Sequence, residues 1–145
     1  MKNYLFLIIL FLSSFSLRAQ MERTVYQSFE IDSSKTIAFK LVGDYELHSW
    51  AGNSVLTETN VQIWKASPRI LDYFIEKGRY EILQESAPGA TLLSSRFVER
   101  QPIKTKEGDC VEIIKVKIFV PDTFEWLPDG KNFLTKKPEP VEKPD

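Results

Sequence analysis

The sequence predicts an all-β fold: a single small domain of β-sheet with one short amphipathic helix, placed after a secretory signal peptide. Three observations predict it. Between Thr24 and Trp126 apolar and polar residues alternate with a period of two, which turns one face of each segment toward a core. Only the stretch from Ser67 to Gly78 switches to helical spacing. The chain opens on Lys2, followed by the unbroken apolar run Tyr4 to Leu12, then serines and a small residue at Ala19. That run is too short for a spanning helix, which needs about 20 apolar residues. Cleavage between Ala19 and Gln20 is therefore expected, leaving no membrane span. Because the single cysteine, Cys110, lies far from the cleavage region, the exported product is not expected to be a lipoprotein. The chain divides into a signal peptide over residues 1–19, a β domain over 24–126 and a disordered Pro/Lys/Glu tail over 127–145.

The elements follow in order. Ile37, Phe39 and Leu41 alternate with Thr36, Ala38 and Lys40, a half-buried strand broken at Val42-Gly43-Asp44. Tyr45, Leu47 and Ser49 then oppose Glu46, His48 and Trp50, and Ala51-Gly52-Asn53-Ser54 supplies a turn. A long strand follows, with Val55, Thr57, Thr59, Val61 and Ile63 inward and Leu56, Glu58, Asn60, Gln62 and Trp64 outward. Ser67 is a good N-cap, Pro68 suits the first helical position and Gly78 closes the turn. Ile70, Leu71, Phe74 and Ile75 make the apolar stripe between them, with Asp72, Glu76 and Lys77 facing out. Tyr80 and Ile82 form a short strand, Glu85 to Ala90 a turn, Thr91 to Val98 another strand, and Glu99 to Asp109 a loop or weak hairpin around Lys106-Glu107-Gly108. The final strand carries Cys110, Ile114, Val116, Ile118 and Val120 on one face. Val111, Ile113 and Phe119 lie on the other, which predicts a central position, and Pro121 ends it. Beyond Leu127 prolines and alternating charges predict a solvated tail. One cysteine forms no internal disulfide, so a hydrophobic core must hold the domain together; Cys110 is expected within it.

This order of segments resembles the head GIN domain, an adhesin-like domain of exported bacterial proteins. The resemblance runs from Tyr26 through Ile37-Ala38-Phe39-Lys40-Leu41, Tyr45-Glu46-Leu47 and Ser54 to Thr59. It continues through Ile70 to Ile75 and Gly78 to Ile82, and ends at Ile114 to Pro121. In that family the Val-Pro strand leads into glycine-rich β-solenoid coils. Here Phe124-Glu125-Trp126 gives way to the charged tail, so the resemblance implies a cap without its coils: a sandwich-like sheet or a truncated solenoid cap. The edge that a coil would cover is then left open, either to pair with a second copy or an envelope partner or to be blunted by lysines such as Lys115 and Lys117. No catalytic residue carries over.

Charge and composition narrow the chemistry. Without residues 1–19, Lys and Arg number 17 against 20 acidic residues, a net −3, which gives no basis for nucleic-acid binding or polybasic membrane attachment. His48 is the single histidine and has no second histidine or nearby cysteine, so no metal, no cofactor and no hydrolytic triad is expected. Glu46 and Glu58 on neighbouring strands would be a glycosidase dyad only at about 5–10 Å separation. Trp50 and Trp64 end strands on the polar face and, with His48, are the candidate ligand-binding residues. The expected function is an exported, non-enzymatic accessory or adhesin-like binding module of the bacterial cell envelope, in the periplasm or at the outer membrane and cell surface. It would act through protein–protein contact with an envelope partner or by self-association. The alternative is a structural subunit that joins a larger assembly by an edge strand; a carbohydrate-active enzyme comes third.

Overall fold

The computed structural model describes residues 20–31, 33–127 and 133–138. The expected signal peptide lies outside them. Among the described residues the domain is all-β with one short helix. A first sheet has the order β1 (Met21–Glu30), β4 (Ser54–Trp64), β9 (Val111–Pro121), β3 (Asp44–Trp50). A second has the order β10 (Phe124–Trp126), β11 (Phe133–Lys136), β2 (Thr36–Lys40), β6 (Ala90–Ser95), β5 (Ile82–Ala87). Neighbours run antiparallel except β3 with β9 and β2 with β6. A small hairpin of β7 (Lys104–Thr105) and β8 (Gly108–Asp109) stands apart, and the helix α1 spans Pro68–Glu76.

The sheets close face to face, because each presents its apolar alternate residues to the other. Phe29, Val55, Val116, Ile118 and Val120 come from the first; Ile37, Phe39, Leu93, Phe124 and Leu134 come from the second. This is a sandwich, not a solenoid coil. β4 alternates without a fault, burying Val55, Thr57, Thr59, Val61 and Ile63 as its sequence predicts. β9 pairs on both sides and is central, as expected.

The second sheet covers only part of the first. The remaining inward residues, Val61, Ile63 and Cys110, pack against Leu71, Tyr80 and Ile103 in a second core. Leu71 is the helix residue withdrawn fully from solvent; Ile70, Phe74 and Ile75 are partly buried beside it. The Ser67 side chain accepts from the Ile70 amide, Pro68 opens the helix, and Gly78 takes up φ +72° beyond its end.

Several expectations need correction. The segment read as a disordered tail from residue 127 supplies β11, a strand inserted between β10 and β2, with Leu134 buried in the main core. Only four residues long, β11 earns its place by backbone pairing on both sides rather than by length. The domain therefore reaches past residue 126, and at the other end β1 begins at Met21 rather than near Thr24. Tyr80 lies in the turn after the helix, while β5 runs through Ala87 and leaves only Pro88-Gly89 as the turn. The exposed polar residues of β5 fit an edge strand held by its ladder to β6. Thr91 to Val98 is strand only as far as Ser95. Lys115 and Lys117 stand on internal β9 and guard no edge.

Candidate functional site

The outer face of the first sheet is built by register. One row across it reads Ser28, Leu56, Phe119, His48; the next reads Tyr26, Glu58, Lys117, Glu46. Directly opposed residues on one face lie within contact range. The His48 ring accordingly stacks on Phe119, with centroids 5.4 Å apart and planes at 28°. Beyond this row Trp50 ends β3. Its indole Nε1 donates to the Ser54 carbonyl at 2.9 Å, tying the ring over the turn that joins β3 to β4. A Cβ at Gly52 would collide with that ring, so the turn takes glycine for close approach.

Trp50 and Tyr26 thus stand on either side of a shallow concavity of about 430 Å³. Leu56 and Phe119 line it together with Ser28 and Glu58. Tyr26 is 71% exposed, the most open large hydrophobic side chain among the described residues. An apolar hollow with one carboxylate and one projecting phenol can receive an apolar or aromatic group and hold it by stacking.

Of the three sequence candidates, the structure brings Trp50 and His48 to this face and separates Trp64, which ends β4 at the opposite end of the sheet. Tyr26, Leu56 and Phe119 were missed as site residues, although Phe119 and Leu56 could be placed on this face by alternation alone. Glu46 and Glu58 do not meet: Lys117 stands between them in the row, and their backbones are two strand spacings, roughly 9–10 Å, apart. His48 Nε2 lies 3.6 Å from Glu46 Oε2. Among the described residues no three His, Cys, Asp or Glu side chains converge to hold a metal.

A second polar constellation is enclosed between the helix end and β9. Glu112 accepts from Arg79 Nε at 3.0 Å, from Arg79 Nη2 at 2.7 Å and from the Tyr80 hydroxyl at 2.6 Å. Arg79 Nη2 also reaches the Gln101 carbonyl at 2.8 Å, and Arg100 lies over the Tyr80 ring. Burial by itself would raise the Glu112 carboxyl, yet the bonds from Arg79 and Tyr80 outweigh it and hold the group below its ordinary value. Burial and then the bond to Glu112 push the Tyr80 hydroxyl up. Every lone pair used here is spent on a neighbour in the same chain, which makes this a structural clamp.

Comparison with protein-family models, with curated proteins and with solved structures finds no match.

Proposed function

We propose that this domain is an exported, adhesin-like binding module of the cell envelope that grips a protein partner through the hollow between Tyr26 and Trp50. The observation that carries this reading is the convergence of Tyr26, Trp50, Leu56 and Phe119 at one end of the outer sheet face, beside the charged row Glu58, Lys117 and Glu46. Tyrosine and tryptophan in such positions supply large contact areas at small entropic cost, and dominate the energetics of protein interfaces. The resemblance to head GIN domains agrees with this reading.

The rival reading, a subunit joined by an edge strand, is less favoured because the longest edge strand, β1, is tied to neighbouring elements by its side chains. The Gln27 side chain bridges β1 to β5, its Nε2 donating to the Ile82 carbonyl and its Oε1 accepting from the Ile82 amide, both at 2.9 Å. Arg23 of the same strand pairs with Asp72 of α1 at 3.0 Å.

Site-specific photo-cross-linking in the envelope tests the proposal. A cross-linker at position 26 should yield one protein adduct that a cross-linker at Leu83 does not. Tyr26→Ala should weaken capture of that partner about tenfold or more, with little change in thermal stability, since the side chain is exposed. Equal adducts from both positions would overturn the reading. Selective retention on a glycan array, lost in Tyr26→Ala, would replace the protein partner by a sugar.

A further inference from the structure

The opposite end of the first sheet carries a feature that the net charge of the chain conceals. An open groove of about 1100 Å³ runs between the end of β4, the start of α1 and the β7–β8 hairpin. Trp64, Met21 and Ile70 give it apolar walls, and Lys65, Lys104 and Lys106 rim it against a single lining carboxylate, Glu107. An adjoining hollow, sharing Ile70 and Lys104, adds Arg69 and the half-exposed Tyr73. Across the register from Trp64, Val111 is 53% exposed, and Ile113 on the same face is 41% exposed. None of Lys65, Arg69, Lys104 and Lys106 forms an ion pair among the described residues; Asp72, the nearest acid on the helix, is engaged by Arg23, and Asp109 faces Lys104 across the hairpin without bridging to it. Arg69 stands in the first helical turn, where a cation is disfavoured by the helix dipole. The fold thus gathers repelling cations beside a part-buried tryptophan and exposed tyrosine and aliphatic groups.

We propose that this end of the domain docks on an anionic membrane surface. The pairing of cations with interfacial aromatics is what such a surface recognises: lysine and arginine heads meet lipid phosphates, while Trp and Tyr settle at the headgroup boundary. The Tyr26–Trp50 hollow lies toward the other end of β4, whose 11 residues span roughly 35 Å. A domain standing on its Trp64 end holds that hollow away from the bilayer.

The test uses the chain from Gln20 to Asp145, which contains every residue of both cores, from Met21 to Leu134. It should co-sediment with phosphatidylcholine vesicles containing about 30% phosphatidylglycerol, fail to do so with pure phosphatidylcholine, and be released at about 0.5 M salt. Lys104→Glu with Lys106→Glu should weaken binding at least about tenfold, whereas Lys115→Glu with Lys117→Glu, in the middle of the outer face, should not. Bromine-labelled lipid should quench the wild-type fluorescence, and Trp64→Phe should remove that quenching. Absence of binding to the anionic vesicles, or equal loss in both double variants, overturns the proposal. Binding of soluble polyglutamate that these vesicles do not displace would overturn it in favour of an acidic protein.

Discussion

Glu112 occupies an inward position of β9, alternating with Cys110 and Ile114, and its neighbour Arg79 keeps it ionised there. Their side chains are only 15% and 11% exposed. Removing one member of such a pair strands the other. Arg79→Met should therefore cost about 3–5 kcal/mol in urea unfolding at pH 7. Because the Glu112 carboxyl is held below its ordinary value of 4.5, the stability it contributes is present above that pH and lost as pH falls through the depressed value. Wild type should thus lose stability more steeply below pH 4.5 than Glu112→Gln does, and the deficit of Arg79→Met should shrink in acid. A second residue-scale prediction concerns Thr57 and Thr59, whose buried hydroxyls have no hydrogen-bond partner among the described residues. Thr57→Val keeps the shape and removes a desolvated polar group, so it should stabilise by about 1 kcal/mol. A loss of stability in denaturant titration would show that the hydroxyl is satisfied after all.

The helix tests packing at the next scale. Leu71, fully enclosed, should cost about 2–5 kcal/mol on truncation to alanine. Asp72→Ala, in an ion pair with both side chains nearly half exposed, should stay within about 0.5 kcal/mol. The sequence pointed to the whole stripe from Ile70 to Ile75, and Phe74 alone would have been the natural anchor by size. The structure puts Leu71 at the centre and leaves Phe74 at the margin, under the Arg79 guanidinium. Alternation was strong enough to give both faces of β4 and the central place of β9, and turn residues left a loop or weak hairpin around Lys106-Glu107-Gly108, of which the structure takes the hairpin. Alternation failed where pairing rather than burial makes a strand. β5 is exposed beyond Ile82 and polar at Gln84, Glu85 and Ser86, and β11 is a short segment bordered by charges and prolines. The same limit governed the site. Trp50, His48 and Phe119 could be assigned to one face from spacing, but Tyr26 joined them only through the β1–β4 register, which no local pattern contains. Glu112 did leave a local sign, a lone acid at an inward position of an apolar strand.

At the scale of the whole molecule, the open edges of the sandwich are β1 and β3 in one sheet, β10 and β5 in the other. β1 and β5 are bridged to each other by Gln27, which leaves β3 and the three-residue β10 as unbridged margins. Deleting residues 127–145 removes β11 and strips β2 of a partner, so cooperative unfolding followed by circular dichroism should be lost. The placing of these late strands also bears on how the chain is made. The middle of the first sheet waits for residues 111–121, and the second sheet is not continuous until residues 133–136 arrive. Before residue 111 the polypeptide can pair, in its two large sheets, only β1 with β4 and β2 with β6 and β5, partial sheets that lack the facing layers of the finished sandwich. It stays open until residues 133–136 have emerged, and an open chain is the form that can be threaded lengthwise through a narrow pore before it folds on the far side.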